Sequence, residues 1–117
     1  TARRAEAEVR LRQMQELQAR KGDLLTLDFI ATQPNIGSLA GQLADQKIKL
    51  AQLSQRYREK HPTMQAATKQ LAEIEAQLKQ AIAQAAATVE STYLTAVRND
   101  EQAKQAVEDF IAGTIER

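Results

Sequence analysis

The stretch LAGQLADQKIKLAQLSQRYREKHP, residues 39–62, decides how this chain folds. Leu39, Leu43, Gln46, Leu50, Leu53 and Tyr57 follow one another at steps of 4, 3, 4, 3 and 4. That alternation keeps one stripe of a helix turned toward a partner helix, so it reads as a coiled-coil seam. Arg58-Glu59-Lys60-His61-Pro62 interrupts it. Proline pushes the residue before it out of the α region and lacks a donor, which makes Pro62 a helix start and His61 a turn or cap residue. The reading is a helix over 34–58, a turn over 58–61 and a second helix from residue 62.

Downstream, Met64, Ala67, Leu71, Ile74, Leu78, Ala81 or Ile82, and Ala85 carry the same spacing, and no breaker appears before Gly113. The stripe continues through Val89, Tyr93, Ala96, Ala103, Val107 and Phe110. Two consecutive steps of four, at residues 85, 89 and 93, predict a stutter that locally unwinds the supercoil. A helix over 62–115 spans about 80 Å at ~1.5 Å per residue.

Upstream, Pro34 suits the first turn of the 34–58 helix. Before it, residues 2–21 read as a helix with Ala7, Leu11 and Met14 on one stripe. Glu6/Arg10, Glu8/Arg12 and Glu16/Arg20 pair at i,i+4 outside it. Gly22 is expected to supply the left-handed residue that ends this helix. The linker over 22–33 holds the densest apolar cluster, Leu24, Leu25, Leu27, Phe29 and Ile30, expected to pack back on its neighbours as a short helical turn.

Limbs 2–58 and 62–117 are nearly equal, so the fold class expected is all-α: a long antiparallel helical hairpin, or coiled coil, with an interrupted first limb. Paired positions would then total about 120, setting Gln46 near Ile74, Leu43 near Leu78 and Leu50 near Leu71. The seam on this reading is Leu39, Leu43, Leu50, Leu53, Tyr57, Met64, Leu71, Ile74 and Leu78. A rod this rich in alanine is marginal alone, and self-association is expected.

Composition agrees with that architecture. The 117 residues contain four Gly, two Pro and 3% aromatics, too little for a thick globular core. A net charge of +1 lacks the basic footprint of a nucleic-acid binder. The absence of cysteine excludes disulfides and thiolate metal sites. No apolar run approaches the ~20 residues of a membrane span. The chain begins at Thr1 and both begins and ends within helical pattern, as expected of one coiled-coil segment, residues 1–117, of a longer protein.

No catalytic residue, cofactor site or metal site is expected. His61 stands alone as a histidine, the carboxylate pairs Glu73/Glu75 and Glu108/Asp109 lie on charged helix surface, and no Gly-rich phosphate loop exists. One cluster could make contacts: Arg56, Arg58, Lys60 and His61 gather at the hairpin tip, where an anionic glycan or lipid headgroup could meet them. Glu59 balances part of that charge, and a hydrated turn is the simpler reading.

Pro34-Asn35-Ile36 with Leu39, the run from Leu53 through Tyr57-Arg58-Glu59-Lys60-His61-Pro62 to Met64, and then Leu71, Ile74 and Leu78, together resemble the polysaccharide co-polymerase family. That family includes chain-length determinants, exopolysaccharide export proteins and the bacterial tyrosine kinases fused to them. Its periplasmic regions often carry a tyrosine, a short turn, Lys-His-Pro and a hydrophobic residue two further on. Here these fall at Tyr57, Lys60-His61-Pro62 and Met64. Many members have Gly or Gly-Pro at the turn, where this chain has Arg58-Glu59.

The resemblance covers residues 30–85. It implies a periplasmic coiled coil between two transmembrane helices of a bacterial inner-membrane protein, which oligomerises and governs polymerisation, chain length or export of a polysaccharide. On that reading the membrane helices, a membrane-proximal α/β part and any cytoplasmic tyrosine kinase lie outside this chain. Polysaccharide and the polymerase or export machinery are then partners of the parent protein. Tyr57 and Tyr93 are seam residues rather than kinase substrates. Two other readings share the heptads: the helical hairpin of a periplasmic adaptor in a tripartite efflux or secretion pump, and a generic coiled-coil spacer. The docking motif usual at adaptor tips is not seen at residues 56–64.

Overall fold

A computed structural model describes residues 1–116, with side chains as far as Ile115. The chain is all-helical: α1 (Ala2–Ala19), a 3₁₀ turn (Leu24–Thr26), α2 (Asp28–Ala31), α3 (Pro34–Ser54) and α4 (Pro62–Glu116). No strand occurs among the described residues. The elements follow from composition, since Ala, Gln, Glu, Lys, Arg and Leu lose little side-chain freedom in a helix.

Helix α1 starts at Thr1, whose Oγ1 accepts from the Arg4 N–H at 3.2 Å. The Glu6–Arg10 and Glu8–Arg12 pairs close at 2.9 and 3.1 Å on its exposed side. Among the described residues no ion pair joins Glu16 to Arg20, which is the C-cap. The helix ends at Ala19, two residues before the expected Lys21. Lys21 N–H donates to the Gln18 carbonyl at 3.0 Å and Gly22 N–H to the Leu17 carbonyl at 2.8 Å. These are the two bonds of a Schellman cap. The left-handed residue in it is Lys21, with φ 55°, and not Gly22 as expected. A Cβ at Gly22 would meet the Leu17 side chain, whose end would have to shift.

The 22–33 linker is mostly helical. Leu27 and Ala31 N–H groups donate to the Leu24 and Leu27 carbonyls at 3.1 and 2.9 Å, and Thr32 Oγ1 donates to the Asp28 carbonyl at 2.6 Å. Gln33 is extended (φ −65°, ψ 132°), as a residue before proline should be, and Pro34 opens α3. Ile30 in α2 and Ile36 in α3 are the largest side chains wholly removed from solvent. Ile30 belongs to the apolar cluster expected to pack, whereas Ile36 lies outside the seam expected from the heptads.

Two compact units result. The first comprises residues 24–85. Along α3, Ile36, Leu39, Leu43, Gln46, Leu50 and Leu53 are the buried or half-buried stripe, and Tyr57 beyond its end is half-buried. Along α4, Met64, Ala67, Ile74, Leu78, Ala81 and Ala85 are buried and Leu71 half-buried, in unbroken steps of 3 and 4. Gln46, itself buried, donates through Nε2 to the Ala67 carbonyl at 3.0 Å. Gln46 thus reaches the main chain of α4 from α3.

The second unit comprises residues 1–23 and those from 86 onward. Ala7, Met14 and Ala86 are buried, while Leu11, Leu17, Val89, Tyr93, Ala96 and Val97 are half-buried. Asp100 receives the Thr1 ammonium at 3.2 Å and Thr1 Oγ1 at 3.3 Å, with Arg4 at 3.9 Å. Beyond Asp100 the expected stripe loses its cover. Val107 is 58%, Phe110 75%, Ile111 49% and Ile115 78% exposed, because α1 meets α4 no later than Asp100 through Thr1 and Arg4.

Candidate interaction site at the α3–α4 connection

The connection runs over residues 55–61, longer than the expected 58–61 because α3 stops at Ser54 and not at Arg58. The stop is local. Ser54 Oγ donates to the Ala51 carbonyl at 2.6 Å, which diverts a serine side chain onto the last turn. The Gln55 N–H then donates to the Gln52 carbonyl at 3.3 Å, and the Arg56 and Tyr57 N–H groups share the Leu53 carbonyl at 3.0 and 2.9 Å. The three-residue spacing of two of these bonds tightens the final turn and releases the chain.

Helix α4 is started by the opposite device. His61 N–H donates to the Arg58 carbonyl at 3.0 Å, closing a turn, and His61 Nδ1 accepts from the Thr63 N–H at 3.1 Å. The imidazole therefore caps one of the orphan donors at the N-terminus of a 55-residue helix. Accepting at Nδ1 requires the ring to carry its proton on Nε2. Pro62 fills the first helical position, where its missing N–H costs nothing, and the His61 carbonyl accepts from Gln65 N–H at 2.9 Å. The Tyr57 ring lies against the His61 ring, with centroids 4.3 Å apart and planes inclined by 31°. One short segment thus ties the departing end of α3 to the start of α4.

Of the contact residues read from sequence, Arg56, Arg58, Lys60 and His61 all lie on this connection and are exposed. Among the described residues none of the three cations forms an ion pair. The structure gives His61 a capping and stacking role distinct from theirs. Sequence reasoning missed Asp100, half-buried under Thr1 and Arg4. Its only signal was a carboxylate in the heptad stripe seven residues after Tyr93. Among the described residues no three His, Cys, Asp or Glu side chains are grouped to hold a metal ion, and no helix is long and apolar enough to cross a membrane.

No family model, curated protein or solved structure matches this chain. What the fold defines is a class: an all-helical protein built on a 55-residue helix and heptad packing.

Proposed function

We propose that this chain is the coiled-coil segment of a bacterial inner-membrane protein that controls polysaccharide polymerisation, chain length or export from the periplasmic side, and that it acts through helix pairing and self-association rather than catalysis. The observation that carries the reading is the connection itself. Four residues of the element resembling the co-polymerase family have separate structural tasks. Tyr57 supports the His61 ring, His61 caps α4, Pro62 starts it, and Met64, 6% exposed, is its first buried seam residue. A generic spacer needs heptads but no such junction.

The finer architecture of this reading is an antiparallel hairpin with an interrupted first limb. Its support is the Gln46 Nε2 bond to the Ala67 carbonyl, the kind of contact expected where α3 folds back along the start of α4.

Two experiments on the full parent protein test the proposal. A cysteine in place of Arg58, treated with a membrane-impermeant maleimide on intact cells with a permeable outer membrane, is expected to label without lysis. Labelling only after lysis contradicts a periplasmic site. Leu78→Asp in the same parent is expected to broaden or abolish the length distribution of the surface polysaccharide on gels. An unchanged distribution with an unchanged protein level rejects the functional reading.

A further inference from the structure

Helix α4 carries its apolar stripe past Asp100, where Thr1 and Arg4 of the other limb last meet it. We infer that the uncovered part, residues 103–115, is the surface on which a second copy of this chain docks, the two helices lying side by side in opposite directions. The inference rests on the self-association in the functional reading and not on its polysaccharide role.

The surface continues one that is already occupied. Val89, Tyr93 and Ala96 are half-buried in the unit that α1 shares with this end of α4. Beyond them Ala103, Val107, Phe110 and Thr114 follow at steps of 4, 3 and 4, and all four are exposed. Ile111 and Ile115 widen the stripe along one side, because residues four apart are neighbours on a helix. The patch is on the order of 400 Å², a size at which exposed apolar surface marks an interaction site.

Its polar groups suit a dry contact. Thr114 Oγ1 donates to the Phe110 carbonyl at 2.9 Å, so it brings no unmet donor to the stripe. Gln105 Nε2 donates to the Asp109 carboxylate at 2.9 Å, off the line from Ala103 to Thr114. Beside the stripe stand Ala106 and Gly113, one heptad apart, and a Cβ at Gly113 would have nothing within 4 Å. A glycine weakens the helix here, and the space it leaves admits a close second backbone.

Self-complementarity favours a second copy as the occupant. Between identical helices laid end over end, paired residue numbers share one total, and every contact occurs twice. A total of 217 sets Phe110 opposite Val107 and Thr114 opposite Ala103, so the largest side chain meets a smaller one. One flank carries Lys104 and Ile111 and the other Ala106 and Gly113, so no carboxylate faces a carboxylate. Freedom from like charge is a condition that pairing with an identical surface imposes. Two patches with their flanks remove on the order of 1,000 Å² from water, the weak end of specific pairing. Dissociation on dilution is therefore expected, with a constant of roughly 10–500 µM.

Sedimentation equilibrium of the 117-residue chain, from about 5 µM to about 1 mM, should show the mass rising from one copy toward two. Phe110→Ser should weaken the pair at least about tenfold. Gly113→Gln, a better helix former with a longer side chain, should weaken it as well while raising helical content at dilution. Spin labels on Glu108→Cys or Glu101→Cys, one site per chain and both exposed, then report the direction. At ~1.5 Å per residue, a total of 217 offsets the two copies' 108 sites by ~1.5 Å along the helices and their 101 sites by ~22 Å. The distance should thus be clearly shorter at 108. Equal distances at the two sites mean a parallel pair and overturn the inference. A mass of one copy throughout, or a pair that both substitutions leave unchanged, also overturns it. None of these results bears on the labelling of Arg58→Cys or the polysaccharide gels, which test the wider reading separately.

Discussion

Helix α4 contains two stretches with the same sequence periodicity and opposite fates. Over residues 64–85 the apolar stripe is buried or half-buried at every step, down to 3% exposure at Ala85. Over residues 101–115 the stripe carries larger side chains, Val107, Phe110, Ile111 and Ile115, and each is about half or more exposed. Periodicity describes what a helix can offer, whereas burial needs a second surface opposite it. Hydrophobic stabilisation follows area removed from water, so the small alanines of the first stretch contribute where the larger Phe110 contributes little.

The largest effect is expected from Ile36→Ala. Ile36 is fully buried beside the start of α3, and truncation should cost about 2–4 kcal/mol in urea unfolding followed by helical circular dichroism. A cost as small as that of a surface substitution would show that residues 24–85 are not packed as described. Lys21→Gly comes next, with the opposite sign. It relieves a left-handed lysine at the α1 cap, and a gain of about 1 kcal/mol is expected from the rise in the unfolding midpoint.

Smaller still is Asp100→Ala. Its partners Thr1 and Arg4 are well exposed, and a loss under about 1 kcal/mol, shrinking further in high salt, is the expected outcome. Phe110→Ala should be the smallest, within about 0.5 kcal/mol of zero in dilute protein. A loss comparable to that of Ile36→Ala would mean that the second stretch has a covering surface after all.

Much of the fold is legible in the sequence because it depends on local propensity and on a repeat. The start of α4 at Pro62, the capping place of His61 and the seam positions from Met64 to Leu78 all follow from proline stereochemistry and steps of three and four. The end of α3 is less legible. Ser54 through Arg58 contain no breaker, and the stop coincides with a hydroxyl turned back to the Ala51 carbonyl, one of several rotamers open to a serine. The register is illegible for a deeper reason, since a heptad pattern cannot identify which repeat meets which.

At the candidate site the division is similar. The grouping of Arg56, Arg58, Lys60 and His61 follows from their closeness in sequence. The Tyr57–His61 ring contact and the Thr63 N–H bond require the path of the connection, which composition does not specify. Lys21 is a third case: Gly22 signals a helix end, but the two cap bonds put the left-handed conformation one residue earlier, at Lys21.

The proposed return of α3 along α4 is checked by the distance between spin labels at Gln42 and Glu73, both exposed, in dilute labelled protein with unlabelled protein in excess. A hairpin gives one separation set by the ~10 Å spacing of packed helices plus the reach of the labels. A separation of ~45 Å or more, the length of 31 residues of continuous helix at ~1.5 Å each, would contradict it.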